Sequence, residues 1–190
     1  MASRRGERYV GPYEILMSSP KYENPWVKVR EDSVRHTSGQ ESAFCVVDMR
    51  PRVTVLPLDE DENVHLVREF KYALCDTSLE AMSGPIESGE TPEQAGLREI
   101  GGQADLVASE WIDFGTIDPF TTVVHCPNHL FLARGLSRLR RSSEASTESE
   151  IAKMSFEDAL HAVLGGEIIH GASCVLILKT HLFLSRSKQR

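Results

Sequence analysis

Gly84-Pro85-Ile86-Glu87-Ser88-Gly89-Glu90-Thr91-Pro92-Glu93-Gln94-Ala95-Gly96-Leu97-Arg98-Glu99-Ile100-Gly101-Gly102-Gln103-Ala104-Asp105-Leu106 is the most informative stretch of the chain. Gly84, Pro85 and Gly89 make its first part a loop. Thr91 is a good N-cap, Pro92 suits the first helical position, and Gln94 three residues after Thr91 completes a capping box. A helix is therefore predicted over Thr91–Ile100. Glu90 and Glu93 fall near its positive end, where carboxylates are favoured. Gly101-Gly102 costs roughly 1 kcal/mol per glycine relative to Ala in a helix interior, so the spacing predicts a helix end near Gly101.

The flanking segments supply the other elements. Tyr13–Met17, Trp26–Glu31 and Ala43–Asp48 are short β-like pieces. Val53–Leu58 and Val64–Tyr72 alternate as two strands joined by the acidic turn Asp59-Glu60-Asp61-Glu62. Leu106–Phe114 and His129–Leu136 also read as strands. Ser155–Leu164 reads as a helix capped by Ser155 and stopped by Gly165-Gly166, and Ala172–Ser185 as a final helix. Strands, a helix, more strands and two helices predict an α/β layered fold.

Length and composition limit the function classes. The chain has 190 residues, enough for one domain or a domain with a small appendage. Its net charge is −7, which argues against sequence-general nucleic-acid binding. Four of those seven excess charges lie in Gly84–Leu106. An anionic small molecule is still a suitable ligand if a divalent metal supplies positive charge. Cys45, Cys75, Cys126 and Cys174 are widely spaced and predict small buried hydrophobes rather than a zinc ribbon or disulfide framework. His125, Cys126 and His129 are close in sequence, but Pro127 and the strand pattern after it argue against a metal cluster. No apolar run approaches the ~18 residues that span a bilayer, and the N-terminus lacks the apolar core of a signal peptide. These features predict a cytoplasmic protein with no membrane or nucleic-acid partner.

The spacing Gly84-x5-Glu90-x7-Arg98-Glu99-Ile100 resembles the first two-thirds of the Nudix box, G-x5-E-x7-R-E-U-x-E-E-x-G-U, where U is aliphatic. The flanks resemble the ADP-ribose, or nucleoside-diphosphate-sugar, pyrophosphatase branch of that superfamily. The matching segments are Tyr22-Glu23-Asn24-Pro25-Trp26, Val67-Arg68-Glu69-Phe70-Lys71-Tyr72, Leu79-Glu80 with Gly84, His129-Leu130-Phe131-Leu132-Ala133, and Gly166-Glu167-Ile168 with Ala172-Ser173. Together they cover about residues 10–185 in the family's order.

The resemblance implies a Nudix α/β/α sandwich over residues 51–190, with residues 1–50 as a β-rich extension that forms a homodimer. Trp26 and Phe44 fit either an interface or a core. The implied activity is Mg²⁺- or Mn²⁺-dependent hydrolysis of a nucleotide sugar, with ADP-ribose giving AMP and ribose 5-phosphate. Glu99 corresponds to a metal ligand and catalytic carboxylate, and the Ser83 carbonyl to a backbone ligand, with Glu90 as a further candidate. Gly84 and Arg98 take structural roles, Arg98 by pairing with Glu90. Arg68 either contacts substrate phosphate or a partner subunit or makes an ordinary surface ion pair. Glu80 either faces the site or is a surface charge at a strand end. An acidic loop supplies a catalytic glutamate, for which Glu144, Glu148 and Glu150 are the candidates, against a merely solvated loop.

The chain departs from the box at its end. The family places two further carboxylates three and four residues after Glu99, on the same helical face. Here those positions are Gly102 and Gln103, and the late glycine is Asp105. Gln103 retains only a neutral carbonyl oxygen as a potential ligand. Mg²⁺ prefers carboxylate oxygens, so the sequence predicts impaired metal binding. The alternative is a catalytically inactive Nudix fold that binds a nucleotide or a partner.

Overall fold

A computed structural model describes residues 8–139 and 149–187. The chain divides into two compact units. One takes the described residues up to Arg50 together with Asp118–Cys126; the other takes Pro51–Ile117 and the described residues from Pro127 onward.

The first unit is a single five-stranded sheet in the order β1-β2-β3-β4-β10. Its strands are β1 (Tyr9–Val10), β2 (Tyr13–Glu23), β3 (Val27–His36), β4 (Glu41–Met49) and β10 (Val124–His125). The first four form an antiparallel meander, and β10 adds parallel to β4. The β2–β3 turn is built by Asn24, whose side-chain oxygen accepts from the N–H groups of Trp26 and Val27 at 2.8 and 2.7 Å. Such side-chain mimicry of a backbone turn is why Asn-Pro marks chain reversals. Trp26 and Phe44 are both exposed on this chain.

The second unit holds two sheets and three helices. The four-stranded sheet runs β8-β5-β11-β9 and the three-stranded sheet β12-β6-β7. The strands are β5 (Arg52–Pro57), β6 (Asn63–Lys71), β7 (Asp76–Glu80), β8 (Met82–Pro85), β9 (Leu106–Ile117), β11 (Asn128–Arg138) and β12 (Ser149–Ser155). The helices are α1 (Pro92–Ala104), α2 (Phe156–Leu164) and α3 (Gly171–Ser187). Strands β5 and β11 pair in parallel at the centre.

Alternation along these central strands sorts the core into two layers. Leu56, Leu130 and Leu132 join Leu160, Leu176 and Ile177 of α2 and α3. Val53, Val55, Phe131 and Ala133 face the other way and pack with Ala95 and Ile100 of α1. Successive strand residues point to opposite faces, so one sheet serves both helical layers. The α/β/α sandwich expected from the sequence is therefore the fold. Gly96 allows the close approach of α1: a β-carbon there would sit 3.0–3.3 Å from Trp111 and Val55.

Several local expectations need correction. Helix α1 does not stop at Gly101 but runs to Ala104, with Asp105 left-handed at φ 53° as its cap. Ile100 and Gly101 are both buried, and their packing outweighs the propensity cost of the glycine pair. Cys45 and Cys75 are exposed, so they are not core residues as expected; Cys126 is buried and Cys174 half-buried. Strand β12 occupies the end of the Ser/Glu-rich stretch that reads as loop, because pairing with β6 satisfies its backbone. Glu144 and Glu148 lie outside the described residues. Among the described residues no helix is long and apolar enough to cross a membrane.

Candidate functional site

The corner is built where β8 leads into α1. Strand β8 pairs antiparallel with β5, placing Ser83 opposite Thr54 and Gly84 opposite Val53. The loop that follows is closed by the capping box of Thr91 and Gln94. The Gln94 N–H donates to Thr91 Oγ1 at 3.2 Å, and the Thr91 N–H to Gln94 Oε1 at 2.9 Å. This fixes the direction of α1 and brings Arg98 and Glu99, two turns in, back over the loop.

Arg98 ties loop to helix. Its Nε donates to Glu90 Oε1 at 2.8 Å and its Nη2 to Glu90 Oε2 at 2.9 Å, a two-pronged pair. The same Nη2 donates to the Pro85 carbonyl at 2.8 Å, and Nη1 donates to Glu99 Oε1. Glu90 Oε2 also accepts the Glu87 N–H at 2.9 Å. The Arg98 guanidinium and the Glu87 N–H together hold the Glu90 carboxyl down at about 2. The two carboxylates in turn raise Arg98 further above its ordinary value, against the opposing effect of burial.

Glu99 lies against the backbone of β8. A β-carbon at Gly84 would overlap its carboxylate, so any larger residue there must displace the Glu99 side chain. Glu99 Oε2 accepts from Gln103 Nε2 at 2.7 Å, and the same nitrogen donates to the Ser83 carbonyl at 3.2 Å. Gln103 thus presents its amide nitrogen, not the carbonyl oxygen expected of a metal ligand. Two acceptors face it, so donors are what the position requires. Gly102 is exposed, with open space where a side chain would start.

This donor set does not fit Mg²⁺. Glu90 is committed to Arg98, both Glu99 oxygens already accept N–H donors, and the Ser83 carbonyl accepts a third. Among the described residues no group of three or more His, Cys, Asp or Glu is gathered to hold a metal ion. Mg²⁺ demands a near-octahedral set of oxygen ligands, and water would have to supply nearly all of it here.

The remaining sequence candidates separate into two other places. Glu80 ends β7, is buried, and has Lys71 Nζ and His170 Nδ1 each 3.4 Å from Oε2. It is not a solvated surface charge. His170 also meets Ser173 Oγ at 2.8 Å, and that oxygen accepts the Ala81 N–H at 2.8 Å. Burial lowers the His170 pKa; Glu80 opposes this, while Arg52 and Lys71 add to it. Arg52 on β5 has Nη2 3.5 Å from Ser83 Oγ, and its charge acts on His170 from there.

Arg68 is not part of either cluster. It pairs across the ladder with Leu79, whereas Glu80 pairs with Val67, so Arg68 and Glu80 project from opposite faces. The Arg68 guanidinium lies 3.9 Å from Glu167. Glu150 is opposite Arg68 on β12. Lys71, Arg52 and His170 were not singled out from sequence. Of these, only Lys71 lies in a segment with a sequence signal, Val67–Tyr72.

Three comparisons place the chain among known proteins. No known family profile matches it. It is 28% identical over 142 residues to an ADP-ribose pyrophosphatase of Bacillus subtilis (strain 168), covering 72% of this chain and 75% of that one. It is 23% identical over 175 residues to an ADP-ribose pyrophosphatase of Mycobacterium tuberculosis (strain ATCC 25618 / H37Rv), covering 89% of this chain and 83% of that one. The solved structure of an ADP compounds hydrolase superposes with a TM-score of 0.78 at 14% identity, covering 92% of this chain and 95% of its own. That last likeness concerns the fold.

Proposed function

We propose that this chain is a Nudix-type hydrolase of nucleoside diphosphate-linked sugars, with ADP-ribose as the leading substrate and with impaired use of divalent metal. The observation that carries this reading is the Glu90–Arg98–Glu99 clamp at the β8–α1 corner, the part of the box that this chain keeps. The relatives named for ADP-ribose hydrolysis, which align over most of their own length, support the substrate class.

Gly102 and Gln103 support the reading of impaired metal use. Neither brings a carboxylate, and the Gln103 amide occupies the oxygens that remain. Lys71 and His170 flank Glu80, and Arg52 lies against Ser83, cationic or protonatable groups suited to a diphosphate. Exposed Met17, Tyr22, Trp26 and Phe44 in the first unit support a homodimer formed through that sheet. The proposed partner is a small nucleotide sugar in the cytoplasm.

The same Gln103 contacts favour a second reading, a Nudix fold that binds such a nucleotide without turning it over. Calorimetry with ADP-ribose, with and without Mg²⁺, alongside a product assay for AMP separates the two. Metal-dependent AMP release supports the hydrolase, and metal-independent binding without product supports the binding protein. Neither binding nor product, across a panel of nucleoside diphosphate sugars, would falsify both.

A further inference from the structure

We infer that the Gln103 amide stands in for a divalent cation, holding Ser83 and Glu99 together so that the β8–α1 corner is organised without metal. This rests on the reading of residues 83–103 as a Nudix-like corner.

The Ser83 carbonyl and Glu99 Oε2 are both acceptors turned toward one point. Left facing each other they repel, and a group of positive character must lie between them. Gln103 Nε2 is that group, 3.2 Å from one and 2.7 Å from the other. Its two N–H bonds match the two acceptors, one each. The opposite orientation of the amide would place a third oxygen against them, so the network fixes which atom points inward.

Three further features keep the amide in place. Helix α1 continues to Ala104, so Gln103 stays one turn beyond Glu99 on the same face. Gly84 lets the Glu99 carboxylate lie flat on β8. Arg98 occupies the other Glu99 oxygen, fixing the carboxylate from its far side. A divalent ion entering here would have to displace the amide while facing the neighbouring guanidinium charge. It would recover only one carboxylate. Gln103 is accordingly a positioning residue, acting through Glu99 and Ser83.

The test uses the full chain without nucleotide. Mn²⁺ binding is followed by electron paramagnetic resonance, and thermal midpoints are measured with and without Mg²⁺. The wild-type protein is expected to leave the free Mn²⁺ signal unchanged and to melt at the same temperature with or without Mg²⁺. Gln103→Ala is expected to lower the midpoint by about 2–4 °C, with no recovery in Mg²⁺. Gln103→Glu is expected to be destabilised without metal, to regain the loss in Mg²⁺, and to take up Mn²⁺.

Stoichiometric Mn²⁺ uptake by the wild type that disappears in Glu99→Gln overturns the inference. So does a Gln103→Ala variant that melts like the wild type. Both outcomes are decided without Gln103→Glu, should that variant fail to fold. No readout depends on a nucleotide, so a failed substrate panel overturns the proposed function alone and leaves this inference standing.

Discussion

Glu90 and Arg98 face each other across the β8–α1 loop as a two-pronged ion pair, with both carboxylate oxygens within 2.9 Å of guanidinium nitrogens. Since the Glu90 carboxyl is held at about 2, its contribution is fully present above the ordinary carboxylate value of 4.5. It is lost as pH falls through about 2. Arg98→Ala should return the Glu90 titration toward its ordinary range and expose Ile86–Glu90 to proteolysis at neutral pH. A carboxyl NMR titration of both proteins checks the first effect, and limited digestion the second.

A second pair, away from the corner, stabilises the acidic turn. Lys153 on β12 reaches Asp59 Oδ2 at 2.6 Å, and the backbone of Asn63 donates to Oδ1 at 2.9 Å. Burial opposes ionisation of Asp59, but these donors outweigh it and bring its pKa to about 2 from an ordinary 3.8. Lys153 is half-exposed, which screens the pair. Lys153→Met should cost about 1 kcal/mol at pH 7, and the difference should vanish as pH falls from 3.8 through about 2. Urea melts of both proteins at neutral and acid pH measure it.

Gly84→Ala tests how closely Glu99 packs on β8. The added methyl overlaps the Glu99 carboxylate, so either the side chain or the strand must move. The variant is expected to lose about 1–3 kcal/mol, the usual range for overpacking. Gly84→Ala combined with Glu99→Ala should recover part of that loss, which a double-mutant cycle in denaturant would read directly.

Asp105 caps α1 in the left-handed conformation, at φ 53° and ψ 38°. Glycine adopts that region without strain. Asp105→Gly is expected to raise stability by about 0.5–1 kcal/mol, seen as a higher thermal midpoint. A fall instead would mean that the Asp105 carboxylate has a role beyond its backbone.

Much of this architecture was legible in local chemistry. Thr91 and Ser155 cap helices where the sequence places them, because a cap needs only a few neighbouring residues to form. The central strands followed from alternation. The end of α1 was not legible, since its glycine pair reads as a stop until Ile100 and Gly101 are seen buried. Nor was β12, whose Ser149-Glu150 start continues the Ser/Glu-rich run and whose strand character comes from pairing with β6. At the corner, spacing was enough to relate Glu90, Arg98 and Glu99. That Gln103 turns its nitrogen inward depends on two acceptors brought together from different elements, and composition cannot show it. The grouping of Glu80 with Lys71 and His170 likewise depends on β6, β7 and the segment just before α3 coming together.

The central proposal is a nucleotide-sugar hydrolase in which Gly102 and Gln103, standing where carboxylates would, limit the use of metal. Its most direct test is the rate of AMP release from ADP-ribose in Mg²⁺, comparing the wild type with the Gly102→Glu, Gln103→Glu double variant. Position 102 is exposed and open, so the first change is sterically free. Turnover in the variant is predicted to rise about a hundredfold or more, as restored carboxylates admit the ion. A folded variant no faster than the wild type would contradict the assignment of this helix face as a metal site.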